Sequence, residues 1–184
     1  MKVTPLDIQG AWLIESPTYP DARGLFREWF IDDLNDKFGL PFFQVIQANT
    51  SISSKGVIRG LHYSNSEDGQ SKIVTCTSGS GLDVIVDLRT ESRTFGEFVT
   101  VELSSQSGLS IYISRGLGHG FQAHEDKTSL TYLLDKKYDP QAEFSINPLD
   151  VDLAINWKQI PIVISEKDRT SKNFQEIKSE INNA

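Results

Sequence analysis

The run Gly56-Val57-Ile58-Arg59-Gly60-Leu61-His62-Tyr63 sets a guanidinium and an imidazole three residues apart with a glycine between them. Guanidinium forks suit phosphate oxygens, and an imidazole can trade protons near neutral pH. In a regular strand Arg59 and His62 face opposite ways. A bulge at Gly60, where glycine tolerates backbone angles that other residues resist, would bring both to one side. The alternative is an edge arginine beside a core histidine. Further on, Gln70-Ser71-Lys72 opens the next apolar run, placing an ammonium where an antiparallel neighbour of the His62 strand would lie. Gly118-His119-Gly120 puts a second imidazole between glycines, either close to a ligand or in a simple turn before a strand. In the run 128–134, the phenol of Tyr132 shares its face with Leu130 and Leu134. Anion binding and acid–base work are the chemistry these types offer.

The three histidines, His62, His119 and His124, cap the imidazole chemistry available. His124, beside Glu125 and Asp126, reads as a surface residue. Metal-binding β-barrels commonly carry two histidines one residue apart, a glutamate and a third histidine after a glycine turn. Here Ser64 stands in the second place, so no catalytic metal is expected. The single cysteine, Cys76, rules out an internal disulfide framework and any cysteine-cluster zinc site. A net charge of −7 over 184 residues disfavours nucleic acid and anionic membrane as partners, although a few arginines in a cleft can still reverse the local field. No apolar run spans a bilayer and the N-terminus lacks a signal-peptide core, which points to a cytoplasmic protein without a membrane partner.

These side chains must be positioned by short strands. Alternation starts at Phe42, with Phe43, Val45, Gln47, Asn49 and Ser51 on one face and Gln44, Ile46, Ala48, Thr50 and Ile52 on the other. The apolar face of that strand can be core, leaving the polar face to solvent or to a polar cavity. Strand-like runs follow at 72–76, 82–88, 97–103, 109–113 and 128–134. Within 83–88 the valines and Leu88 point one way and the aspartates the other. Asp32 is placed as the cap of a short helix over 33–38, stopped by Gly39 with Pro41 beyond. Phe174, Ile177 and Ile181 give the last stretch, 171–184, the spacing of a terminal amphipathic helix. The expectation is one all-β domain over 1–184, a sandwich or barrel with a short early helix and a C-terminal helix.

Asp21-Ala22-Arg23-Gly24, Gln47-Ala48-Asn49, Arg59-Gly60-Leu61-His62-Tyr63, Gln70-Ser71-Lys72 and Asp83-Val84-Ile85-Val86-Asp87-Leu88-Arg89 come in an order that resembles the dTDP-4-dehydrorhamnose 3,5-epimerases. So do Ser92-Arg93-Thr94-Phe95-Gly96, His119-Gly120-Phe121, Tyr138-Asp139-Pro140 with Glu143, and Ser165-Glu166-Lys167-Asp168-Arg169. The resemblance implies a double-stranded β-helix (cupin or jelly-roll) enzyme without a cofactor. That enzyme would invert C3 and C5 of dTDP-4-keto-6-deoxy-D-glucose to give dTDP-4-keto-L-rhamnose. By the same resemblance, His62 is the base, Asp168 its orienting carboxylate, Lys72 the cation near the C4 oxygen and Tyr132 the acid on the opposite face. Arg23, Arg59, Gln47 and Asn49 would meet the diphosphate or sugar, and His119 would line the sugar pocket. Phe26 and Tyr138 would sandwich the thymine, with Glu143 bonding the base and Lys167 beside the substrate. A homodimer is implied too, its N-terminal strands exchanged so that Arg23, Phe26 and Glu28 complete the partner's pocket. Ser64, Ser114, the pair Ser105-Gln106 and the turn Ser66-Glu67-Asp68-Gly69 depart from the family pattern. They leave open whether both centres or only one is inverted; a non-catalytic sugar-nucleotide-binding barrel is a separate alternative.

Overall fold

The computed structural model describes residues 1–64 and 69–182, with the side chains of 180–182 left undescribed. The turn at Ser66-Glu67-Asp68 and the place of the Ile181 side chain therefore lie outside the described residues. One sheet runs in the order β1 (Lys2–Pro5), β2 (Ala11–Glu15), β10 (Leu109–Ile113), β7 (Lys72–Ser78), β12 (Thr128–Leu134), β5 (Gln47–Ser53). The other runs β13 (Glu143–Ser145), β6 (Val57–Ser64), β11 (Leu117–Ala123), β8 (Ser80–Asp87), β9 (Phe98–Ser104), with β14 (Val163–Ile164) parallel to β6. The two sheets close on each other as a jelly-roll barrel. A separate hairpin, β3 (Thr18–Asp21) and β4 (Gly24–Arg27), projects with most of its residues exposed. Helices α1 (Leu34–Phe38), α2 (Glu166–Arg169) and α3 (Phe174–Asn182) complete the fold. Among the described residues no helix is long and apolar enough to cross a membrane.

Apolar side chains fill three layers. Val74, Cys76, Ile85, Leu103, Ile111, Phe121 and Leu130 meet between the sheets. Outside the second sheet, Ile58, Leu61, Val84, Val86 and Leu88 are covered by Ile146, Leu153, Trp157 and the α3 residues Phe174 and Ile177. Outside the first, Ile14, Ile73 and Tyr112 are covered by Leu34, Leu40 and Phe43. Strands buried on both faces lose the clean polar alternation of a solvated sheet. Within β8, Val84 and Val86 pack outward while Asp83, Ile85 and Asp87 turn into the barrel.

Several sequence expectations need correction. The cap of α1 is Asp33, not Asp32, and its side chain makes no capping hydrogen bond; Gly39 ends the helix in the left-handed region at φ 71°. Strand β5 begins only at Gln47, because Phe43 is drawn under the first sheet against Phe30 and Tyr112. Its apolar face is the exposed one, with Ile46 48% and Ile52 67% accessible, while Ser51 faces inward to Tyr132. A strand at a sheet edge is free to present that face outward. His124 is buried rather than on the surface, its Nδ1 lying 3.4 Å from Glu102 and its Nε2 without a hydrogen-bond partner among the described residues. Helix α3 starts at Phe174, where Asn173 and Glu176 bond each other's backbone N–H groups at 2.9 and 2.7 Å.

The turn leaving β8 is closed by a charged cluster. Asp87, fully buried, accepts from Arg89 Nε at 2.9 Å, Ser92 Oγ at 2.6 Å and Thr94 Oγ1 at 2.7 Å, and Arg89 Nη2 also donates to Gln9 O at 2.6 Å. Burial pushes this carboxyl up, but the bonds from Arg89, Ser92 and Thr94 outweigh it and bring the pKa to about 2. A folded pKa depressed from 3.8 corresponds to about 2 kcal/mol of stability. That stability is present above the unfolded carboxylate's pKa and is lost as pH falls through about 2. Asp87→Asn is expected to lower the unfolding free energy on the order of 2–3 kcal/mol at neutral pH, because it leaves Arg89 without its buried partner. Denaturant titrations should show the gap to wild type narrowing between about pH 4 and pH 2; a gap that ignores pH would contradict this role.

Candidate active site

The feature that builds the site is an irregularity in β6. Across the ladder His119 pairs with His62, but Phe121 pairs with Arg59, so β6 carries one extra residue over this stretch. Ile58 and Leu61, three apart, consequently both pack on the outer layer, and Arg59 and His62 both turn inward. Gly60 permits it: its φ is 108°, and a Cβ there would lie 2.6 Å from His119 O and 2.7 Å from Gly120 Cα. Burying Ile58 and Leu61 stabilises the arrangement by about 1.5–3 kcal/mol each, which fixes the register.

Lys72 reaches the same cavity from elsewhere than expected. Its strand, β7, lies in the facing sheet between β10 and β12 rather than beside β6. Because Lys72 shares the parity of Val74 and Cys76 it points inward. Tyr132, on β12, also projects from that facing sheet. The cavity between the sheets measures ≈ 240 Å³, and Asn49, Ser51, Arg59, His62, Lys72, His119, Tyr132, Tyr138 and Glu143 line it. It shares His62, Gln70, Lys72 and Glu143 with an outer groove of ≈ 670 Å³ that runs past Tyr63, Lys136, Lys137 and Asp139.

His62 Nε2 lies 2.8 Å from Asp168 Oδ1 across 106 residues of sequence. The parallel pairing of β14 with β6 lays the chain alongside Val57 and Ile58, and α2 follows at once with Asp168 buried on it. Ser165 Oγ caps that helix by accepting the Asp168 N–H at 3.1 Å. Burial pushes the Asp168 carboxyl up, but the His62 hydrogen bond and charge, with Ser165 and the Gly60 backbone, hold it below its ordinary value. A carboxylate at Nε2 selects the tautomer protonated there and leaves the Nδ1 lone pair as the basic one. Nδ1 lies 4.0 Å from Glu143 Oε1.

The second imidazole is also paired. His119 Nε2 lies 2.9 Å from Asp83 Oδ2, both groups buried, and its ring meets the Tyr132 ring edge-on at 6.0 Å. In the sequence Asp83 stood out only as lying opposite the valines of its strand, and nothing there named its partner. The Tyr132 hydroxyl lies 3.3 Å from Ser51 Oγ. Burial pushes this phenol far above the ordinary tyrosine range, with Asp83 adding to the rise and the Ser51 bond and Arg59 charge opposing it. Withdrawal from solvent pushes Lys72 down, against the charges of Glu143 and Asp83.

At the mouth, Arg59 Nε donates to Ser53 Oγ at 3.1 Å. Gln47 does not line the cavity itself; it donates to Asn49 Oδ1 at 2.9 Å and accepts the Tyr138 N–H at 2.9 Å. Tyr138 donates its hydroxyl to Glu143 Oε2 at 3.0 Å, and Lys167 Nζ lies 3.5 Å from the same oxygen. Arg23, Phe26 and Glu28 are not brought to this cavity. Arg23 is turned back onto Asp21, Nε to Oδ2 at 3.1 Å, and Phe26 is 64% exposed on the projecting hairpin. Among the described residues no three His, Cys, Asp or Glu side chains gather as metal ligands.

A sequence profile of dTDP-4-dehydrorhamnose 3,5-epimerases matches residues 5–176. The chain belongs to this family. It is 40% identical over 185 residues to the dTDP-4-dehydrorhamnose 3,5-epimerase of Mycobacterium tuberculosis, covering 97% of this chain and 90% of that protein. It is equally 40% identical over 170 residues to a dTDP-4-dehydrorhamnose 3-epimerase of Streptomyces niveus, covering 92% and 82%. The dTDP-6-deoxy-D-glucose-3,5-epimerase of Legionella pneumophila, solved with dTDP-4-keto-L-rhamnose, superposes with a TM-score of 0.90 at 36% identity, covering 98% of this chain and 96% of that one. For a member of the dTDP-4-dehydrorhamnose 3,5-epimerase family, the decisive local feature is that the paired His62 and the half-buried Tyr132 open on one cavity from opposite sheets.

Proposed function

We propose that the chain inverts C3 and C5 of dTDP-4-keto-6-deoxy-D-glucose, giving dTDP-4-keto-L-rhamnose. The observation that carries this reading is the position of His62 and Tyr132, on facing sheets across one sugar-sized cavity. Protons on carbons flanking a ketone are weakly acidic, so their removal needs a placed base and a group to hold the enolate oxygen. His62 takes the proton on Nδ1 while Asp168 steadies the imidazolium that results. Lys72 faces the C4 oxygen as negative charge develops there. Tyr132 returns a proton from the opposite side; a single base would hand it back to the face it left. An enolate carbon is basic enough to take a proton even from a weakly acidic phenol.

Arg59 and Asn49, with Gln47 behind Asn49, hold the diphosphate and sugar at the mouth, and His119 bounds the sugar. Tyr138, Glu143 and Lys167 form the rim against which the nucleobase rests. Arg23, Phe26 and Glu28 serve a second copy's cavity in a homodimer. Supporting this, the hairpin leaves Tyr19, Leu25 and Phe26 exposed, and the β5 edge leaves Ile46 and Ile52 uncovered. A cytoplasmic setting fits the one cysteine, Cys76, standing as a buried free thiol. Incubation with the keto-sugar nucleotide, followed by proton NMR of the ring, should give the doubly inverted product. Inversion at C3 alone would reassign the chain as a single-centre epimerase, and binding without turnover as a sugar-nucleotide-binding barrel. Sedimentation should find a dimer; a monomer at working concentration would remove the exchanged-hairpin reading.

A further inference from the structure

In each inversion Tyr132 passes from phenol to phenolate and back, so whatever touches its oxygen must suit both forms. Among the described residues, Ser51 Oγ at 3.3 Å is the hydrogen-bond partner of that oxygen. Ser51 sits on β5 opposite Leu130, and Asn49 sits opposite Tyr132, so Ser51 is the diagonal cross-strand neighbour that an aromatic side chain can reach. A serine hydroxyl carries one rotatable donor and two acceptor sites. It can accept from the phenol before proton delivery and donate to the phenolate afterwards, with no heavy atom moving.

We propose that Ser51 is a positioning residue for Tyr132, aiming the phenol into the cavity and holding the phenolate that remains after the proton has gone to carbon. The inference rests on the epimerase reading above. Protons balance with water as the only further partner: in each inversion His62 takes one proton from carbon and releases it to water, Tyr132 gives one to carbon and regains one from water before the next inversion, and Ser51 keeps its own. The Ser51 bond also opposes the rise in phenol pKa caused by burial, as a group that favours phenolate should.

The test measures kcat and KM for inversion in wild type, Ser51→Ala and the shape-matched pair Ser51→Thr and Ser51→Val. Losing a hydrogen bond to a charged group should lower kcat about tenfold to a hundredfold in Ser51→Ala and Ser51→Val, with KM nearly unchanged. Ser51→Thr should restore most of the rate. If the alanine variant does not fold, the threonine–valine comparison still isolates the hydroxyl. Solvent-deuterium uptake supplies the second readout. Adding Ser51→Ala to Tyr132→Phe should change the remaining uptake no further. A raised KM at constant kcat, equal rates in the threonine and valine variants, or a full Ser51→Ala effect without the phenol would each overturn the proposal. A wild-type chain that processes no substrate would instead overturn the epimerase reading.

Discussion

His62→Ala should lower inversion at both carbons by about 10²–10⁴-fold, the range expected for a positioned general base. In the proposed mechanism one imidazole serves both centres. Its Nε2 is paired with Asp168 at 2.8 Å, which leaves Nδ1 to remove each proton in turn. Affinity for dTDP should stay within a few-fold, since the proposed phosphate contacts, Arg59 and Asn49, do not bond His62. Calorimetry with dTDP and NMR of turnover separate the two effects. Equal loss of binding and rate would make His62 a wall of the pocket rather than its base.

Tyr132→Phe should divide two events that His62→Ala removes together. With the phenol gone, His62 can still take a proton, exchange it with solvent and return it to the same face. Solvent deuterium should therefore enter the substrate while configuration is retained, and the inverted product should fall by about 10²–10⁴-fold. The side chain loses one oxygen and keeps its packing beside Leu130, so folding should be little disturbed. A phenylalanine variant that inverts at wild-type rate would place the second acid elsewhere. Loss of all uptake would mean that Tyr132 also governs proton removal.

Much of the barrel was readable because its strands are short and punctuated by glycine and serine. The runs 109–113 and 128–134 form strands over those same residues. The bulge at Gly60 was readable as one of two options, the other being an edge arginine beside a core histidine, and the ladder shift between His119 and Phe121 decides for it. Errors arose where neighbours far along the chain decide. The apolar Ile46/Ile52 face was read as one that can be core, but β5 is an edge strand that leaves that face outside. Lys72 points into the cavity from the opposite sheet, because the chain crosses between sheets after β6. No pattern of spacing could pair Asp83 with His119, or derive from composition that Asp168 reaches His62. The resemblance supplied the second pair; the β14–β6 pairing gives its physical cause.

A wild-type reaction run in heavy water tests the opposed imidazole and phenol most directly, with deuterium located in the product by NMR. The expected product carries one deuteron at C3 and one at C5, each on a carbon of inverted configuration. Inverted product that has kept its original hydrogens, or label that enters without any inversion, would contradict proton transfer between two opposed walls.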